Sequence, residues 1–111
     1  MVTDEEIIKE INVIKAKLTD PKLARHFKTW NKTMLYYFPD VDKYFHIKLV
    51  NGQPGDVIKG KAEKPEISYE MSTADFFALN HGEISGLKLF NQKRLKIKAA
   101  MPDILKLQKL N

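Results

Sequence analysis

The spacing of apolar residues changes from a helical to a strand period, and back again, along this chain. In the first 30 residues apolar side chains recur every three or four positions, which predicts an amphipathic helix over residues 3–18. Thr3 followed by Glu6 forms a capping box at its start. Asp20 before Pro21 predicts a second helix that ends near Trp30 or Asn31. Residues 1–31 are therefore predicted to hold two helices.

From Thr33 the apolar period becomes two, the period of a strand with one buried face. The alternation recurs over residues 33–38, 43–50 and 66–71. Asn51 and Gly52 follow the second run and suit a tight hairpin turn, so residues 56–61 are expected to return antiparallel. We predict antiparallel strands over residues 33–71, three of them adjacent.

The last third of the chain returns to helices, with one strand between them. Ser72 suits a helix N-cap, and Gly82 suits the end of the helix it opens. A short second helix completes residues 72–90, and strict alternation predicts a basic strand over residues 93–99. Pro102 opens a terminal helix over residues 102–110. Because its apolar residues spread around most of its circumference, this helix is expected to pack over another apolar surface or to be covered by one. The whole chain, 1–111, is predicted to be one α+β domain.

The composition argues against an enzyme. The chain has 111 residues, 43% of them hydrophobic, and no cysteine, so disulfides, thiolate nucleophiles and cysteine-based metal sites are excluded. His26, His46 and His81 form no metal-binding or catalytic spacing. We predict no catalytic residue, no metal and no cofactor.

Positive charge is concentrated at the carboxyl end. Residues 87–111 hold seven basic side chains and one acidic one, out of a net charge of +5 for the chain. Such a segment favours binding to an anionic membrane surface. Nucleic-acid binding is a further alternative, in which Tyr36, Tyr37 and Tyr44 would stack on bases. With 17 lysines and two arginines, specific nucleic-acid readout is not expected. The acidic start and the absence of a long apolar run predict a cytoplasmic protein.

Several segments resemble the sterol carrier protein type 2 (SCP2-like) lipid-transfer family, from about Thr33 to Asn111. The segments are Ile47-Lys48-Leu49-Val50-Asn51-Gly52, Ile67-Ser68-Tyr69-Glu70-Met71-Ser72, Asp75-Phe76-Phe77-Ala78-Leu79 with Gly82, and Leu95-Lys96-Ile97 before Leu105-Lys106-Leu107. The resemblance implies a five-stranded, mostly antiparallel (mixed) sheet covered on one face by helices. It also implies a hydrophobic tunnel between the sheet and the carboxy-terminal helices, which carries sterol, fatty acyl, acyl-CoA or isoprenoid lipid without chemistry. The turns around the Leu95-Lys96-Ile97 strand depart from the family, which usually has glycine there.

Burial of an acyl chain needs only apolar walls, since each methylene contributes about 0.8 kcal/mol. The residues expected to line such a slot are Met71, Phe76, Phe77, Leu87, Phe90, Leu95, Ile97, Met101, Ile104 and Leu105, with the terminal helix as a lid. The residues expected to contact anionic headgroups or acyl-CoA phosphates are Lys93, Arg94, Lys96 and Lys98. The alternative is a protein-interaction module that uses the same apolar groove for a partner helix or a homodimer.

Overall fold

The computed structural model describes residues 2–110 and contains a sheet with helices against one of its faces. The helices are α1 (Asp4–Thr19), α2 (Pro21–Ala24), α3 (Thr73–Asn80), α4 (Gly86–Asn91) and α5 (Met101–Leu107), which runs into a 3₁₀ turn (Gln108–Leu110). The strands are β1 (Thr33–Phe38), β2 (Lys43–Val50), β3 (Gln53–Pro54), β4 (Ile58–Lys59), β5 (Ile67–Glu70) and β6 (Lys96–Lys98). The α+β fold with a mixed sheet is confirmed.

The described residues form six strands, whereas five were predicted. The sheet order is β3-β2-β1-β5-β6, and β4 also pairs with β2. Both β3 and β4 lie along the edge of β2 that β1 does not use. β4 falls within the return strand that was expected over residues 56–61, whereas β3 precedes it, in the segment expected to be the turn. Because both pair with the same edge of β2, the sheet has five strand positions.

The expectation of antiparallel pairing throughout residues 33–71 is wrong for β5. This strand lies beside β1 and runs parallel to it, with Tyr36 opposite Tyr69 in the register. A parallel neighbour needs a long crossover, and here the connection travels through the hairpin on the other side of the sheet. As a result β5 is an inner strand, and β6 pairs antiparallel with its outer side.

Local capping signals were predicted correctly. Thr3 and Glu6 form a reciprocal capping box at α1, and Ser72 accepts a hydrogen bond from the backbone amide of Asp75 at α3. Asn51 and Gly52 both have positive φ, 51° and 77°, as a two-residue type I′ hairpin requires. These signals act within a few residues, which is why the sequence reveals them.

The second helix is shorter than predicted because its continuation meets the hairpin. α2 ends at Ala24, and the chain then turns so that Phe27 and Trp30 are still buried. The Trp30 carbonyl accepts a hydrogen bond from the Gly52 amide, at 2.9 Å. A Cβ atom placed on Gly52 would lie 2.6 Å from the Phe27 carbonyl oxygen, so only glycine permits this approach.

The core lies between the helices and one face of the sheet. Alternate residues of β1 and β5 are buried, and α1 contributes an apolar stripe that faces them. The fully or nearly fully buried residues at this interface include Ile7, Ile11, Ile14, Leu18, Met34, Tyr36, Phe38, Ile67, Tyr69 and Met71. The other sheet face is not covered in the same way, since Leu35, Tyr37 and Tyr44 keep partial exposure.

Candidate functional site

A small apolar cavity lies between the helical layer and the sheet. Its volume is about 10 Å³, the space of about one water molecule. It is lined by Ile14, Tyr36, Tyr69, Met71, Phe76, Leu79 and Leu110. This is the location predicted for a tunnel, but the volume in this conformation is far too small for an acyl chain.

Three neighbouring aromatic side chains form part of the cavity wall. The rings of Tyr36 and Tyr69 are nearly parallel, 7° apart, with their centres separated by 5.0 Å, and Phe76 lies 5.6 Å from Tyr36. The register of β1 and β5 places the two tyrosines side by side on the buried face. Burial raises the pKa of both phenols above the usual value, so both are neutral at physiological pH.

The terminal segment, defined as Met101–Leu110, contributes one residue to the cavity wall. Leu107 and Leu110 are buried, and Leu110 lines the cavity itself. Asp103 forms an ion pair with Lys32 at 3.0 Å, and the Lys17 ammonium donates a hydrogen bond to the Leu110 carbonyl oxygen at 3.2 Å. Two leucines and a few polar contacts to α1 and the start of β1 thus hold this segment against the rest of the domain.

The predicted lining residues fall into three groups. Met71, Phe76 and Leu95 are buried, and the first two line the cavity. Phe77, Ile97 and Ile104 are half-buried. The remaining four do not reach the cavity, because they lie on the outer sides of α4 and α5 with half or more of their surface in solvent. They are Leu87, Phe90, Met101 and Leu105.

Five of the lining residues were not among the predicted ones: Ile14, Tyr36, Tyr69, Leu79 and Leu110. Tyr69 lies two residues before Met71 and on the same face of the strand, so the alternation of apolar residues could have identified it as a lining residue. Ile14 and Leu110 approach from opposite ends of the chain, and only the tertiary fold brings them together.

The predicted anion-binding residues lie on the edge strand β6 and in the turn before it. Lys96 and Lys98 pair with Glu70 and Ser68, so they lie on the sheet face opposite the cavity. Lys96 is 3.3 Å from the Glu70 carboxylate. Lys93 has a positive φ of 60° in the turn after α4. None of these side chains borders the cavity.

Arg94, the fourth of that set, has an intramolecular partner. Its guanidinium donates two hydrogen bonds to the Asp75 carboxylate, at 2.5 and 3.3 Å. These bonds raise the pKa of Arg94. The pair ties the turn before β6 to the first turn of α3, so Arg94 has a structural contact in addition to its predicted role.

The aromatic residues considered for base stacking do not form one platform. Tyr36 is buried in the core. Tyr37 and Tyr44 stack at 4.3 Å on the uncovered sheet face, where Lys61 lies 4.9 Å above the Tyr44 ring. The hydrogen bond from Tyr37 to Asp42 raises the pKa of Tyr37.

Within residues 2–110 no three histidine, aspartate or glutamate side chains are grouped so as to hold a metal ion. Two of the three histidines have structural partners: a ring nitrogen of His46 is 2.9 Å from the Gly60 carbonyl oxygen, and His81 lies 3.2 Å from Glu10. No helix of the described residues has the length and apolar character needed to cross a bilayer.

The model of the SCP-2 sterol transfer family matches residues 11–111. The chain belongs to this family. No curated protein matches the sequence. The sterol carrier protein 2-like 2 from Aedes aegypti has a similar crystal structure, with a TM-score of 0.70, 15% identity and 95% of each chain covered. The apo form of sterol carrier protein 2 from Yarrowia lipolytica gives a TM-score of 0.64 at 23% identity, covering 98% of this chain and 92% of the other.

The fold also occurs inside a larger enzyme. A double mutant of the sec-alkyl sulfatase PisA1 gives a TM-score of 0.73 at 13% identity. That match covers 98% of this chain but only 16% of the sulfatase chain. The chain thus spans about one sixth of the length of that enzyme, and the likeness concerns the fold alone.

Proposed function

We propose that this protein binds and carries a hydrophobic ligand, without catalysis, between the sheet and the carboxy-terminal helices. The ligand classes are sterol, fatty acyl, acyl-CoA and isoprenoid lipid. The observation that carries the proposal is the apolar cavity at this position, which is closed on one side by Leu110 of the terminal segment. Membership of a sterol-transfer family supports it, as does the likeness to a palmitated form of the Aedes aegypti SCP2L2 protein.

The energetics of opening favour a long-chain ligand. Exposing Leu107 and Leu110 to water costs about 1.5–3 kcal/mol each. A saturated chain with 14 buried methylenes gains about 11 kcal/mol on the same scale, as an upper estimate. The ligand therefore offsets the displacement of the terminal segment, whereas a short chain of four or five carbons gains only about 3–4 kcal/mol and leaves little or no surplus. These magnitudes imply that the cavity is closed in the free protein and opens when a long-chain lipid binds.

Native mass spectrometry combined with displacement of a fluorescent acyl probe tests the proposal. We expect one lipid per chain and a saturable probe signal that long-chain lipids compete away and hexanoate does not. The absence of both an added mass and a saturable signal across sterols, fatty acids, acyl-CoAs and isoprenoids would refute lipid carriage.

We also propose that the outer sides of α4 and α5 contact an anionic membrane surface. Leu87, Phe90, Met101 and Leu105 are exposed there, and Lys88, Lys93 and Lys106 are interspersed with them. Within residues 2–110, neither Lys88 nor Lys93 takes part in an ion pair. Apolar insertion and about 1 kcal/mol per lysine near an anionic surface together favour peripheral binding.

Vesicle sedimentation with a matched control tests this contact. Leu87→Ser with Leu105→Ser is expected to weaken binding to phosphatidylglycerol vesicles several-fold. Val50→Ser is the control, because Val50 and Leu87 have the same exposed fraction, 62%, but Val50 lies on the hairpin. Equal losses in both variants would contradict the assignment of the surface.

The alternative use of the exposed apolar residues is a homodimer interface. A dimer that buries α4 and α5 would show a concentration-dependent sedimentation coefficient, and Leu87→Ser with Leu105→Ser would abolish it. A monomer at all concentrations leaves membrane contact as the use of this surface.

A further inference from the structure

One polar group in the cavity wall has no partner. The Tyr36 hydroxyl is buried and forms no hydrogen bond with any described group, and the side chain as a whole is 1% exposed. Its ring packs against Tyr69 and Phe76, both of which also line the cavity. A buried hydroxyl without a partner destabilises a fold, and phenylalanine would fill the same space without that cost.

The chemistry of the surrounding wall limits what can satisfy this hydroxyl. The other lining residues are Ile14, Met71, Phe76, Leu79, Leu110 and the second tyrosine, so the wall carries no cation. A carboxylate placed here would be a buried charge without a counter-ion, which is strongly unfavourable. Because burial raises the pKa of Tyr36, its hydroxyl keeps its proton and remains a donor. A neutral oxygen acceptor fits these conditions.

We propose that the Tyr36 hydroxyl donates a hydrogen bond to a neutral oxygen at the buried end of the lipid, such as an alcohol, ketone or ester. This inference rests on the proposed function and assigns a recognition residue and an orientation within the same site. Lipids with such an oxygen enter oxygen first, whereas a fatty acid enters by its methyl end and leaves its carboxylate outside.

The test compares tetradecan-1-ol, tetradecane and tetradecanoate, each delivered from methyl-β-cyclodextrin and measured by displacement of a fluorescent acyl probe. Tyr36→Phe is expected to weaken tetradecan-1-ol binding about three- to tenfold, the effect of one neutral hydrogen bond. Binding of tetradecane and tetradecanoate should stay within about twofold of wild type. Tyr44→Phe, the same substitution on the uncovered sheet face, should leave all three unchanged.

Thermal unfolding without ligand separates recognition from a structural role. Tyr36→Phe should unfold at the wild-type temperature or slightly above it, because the hydroxyl has no partner to lose. If Tyr36→Phe binds all three ligands like wild type, or weakens all three equally, the role of Tyr36 is refuted while lipid binding stands. If wild type binds none of the three, this inference is refuted, and lipid carriage itself is decided by the wider panel of sterols, fatty acids, acyl-CoAs and isoprenoids.

Discussion

Replacing Leu110 by alanine tests whether the terminal segment closes the cavity. Leu110 is 5% exposed and lines the cavity, so truncation removes apolar contact and enlarges the cavity at once. Buried leucine-to-alanine changes cost about 2–5 kcal/mol. Near the end of the chain the surroundings relax more easily, so we expect the lower limit, about 2 kcal/mol. For a domain of this size that lowers the midpoint of thermal unfolding by about 8 °C.

Leu105→Ala supplies the matched control. It makes the same chemical change five residues earlier in the same segment, but Leu105 is 57% exposed. Its cost should therefore be within about 0.5 kcal/mol of zero. Circular dichroism melts of the two variants, recorded in parallel with wild type, measure the difference.

Adding lipid should offset the stability that Leu110→Ala loses. A ligand that fills the enlarged cavity at 100 times its dissociation constant adds about 2.7 kcal/mol of stability. We therefore expect Leu110→Ala to gain at least as much from tetradecan-1-ol as wild type does. Equal stability losses in Leu105→Ala and Leu110→Ala, or a Leu110→Ala protein as stable as wild type, would refute the closing role of the terminal segment.

Three further predictions concern the residues around the cavity and the hairpin. The pKa values of Tyr36 and Tyr69 are raised by burial, so as the pH rises the unfolded chain loses its phenol protons before the folded protein does. The free energy of unfolding therefore falls above about pH 10, by about 1.4 kcal/mol per pH unit for each of the two tyrosines. Urea unfolding between about pH 10 and 11.5 should show this fall in stability, and Tyr36→Phe should make the slope shallower by about 1.4 kcal/mol per pH unit. Gly52→Ala should lower the free energy of unfolding by about 2–4 kcal/mol, because Gly52 has a φ of 77° and a Cβ atom there would clash with Phe27. Gly82→Ala, with a φ of 73° but open space around it, should lower it by only about 1 kcal/mol. Similar urea midpoints for the two variants would contradict the clash. Asp103→Asn should weaken the contact with Lys32 and lower the free energy of unfolding in urea by about 1–3 kcal/mol. It should also speed the release of a bound acyl probe, measured by stopped flow. An unchanged release rate would show that this ion pair does not hold the terminal segment in place.

Features that depend on neighbouring residues in the chain could be predicted from the sequence. The capping box of Thr3 and Glu6 and the Asn51-Gly52 hairpin are encoded within four residues. The length of α2 and the partner of β5 could not be predicted in this way. α2 ends early because the backbone around Phe27 packs against Gly52, 25 residues later, and periodicity carries no information about that contact.

Two of the seven residues that line the cavity, Met71 and Phe76, were among the predicted lining residues. Alternation in β5 shows that Tyr69 and Met71 share a face, yet it cannot show which helix covers them. For α4 and α5 the difficulty is different, because their apolar residues surround most of each helix. Leu87 and Leu89 are equally apolar, but Leu89 is fully buried and Leu87 is 62% exposed. Only the docking geometry decides which side packs.

The division of the terminal segment into two apolar sides matters for how a lipid would enter. Leu107 and Leu110 face the core, while Met101 and Leu105 face solvent on the other side of the same segment. In water, moving the segment away from the sheet exposes the inner leucines and recovers nothing. At a membrane surface both sides can contact acyl chains, so the cost of separation falls by about the transfer energy of the inner leucines, 3–6 kcal/mol. Under the proposed function, the cavity would therefore open more readily at the bilayer that supplies or receives the lipid than in bulk water.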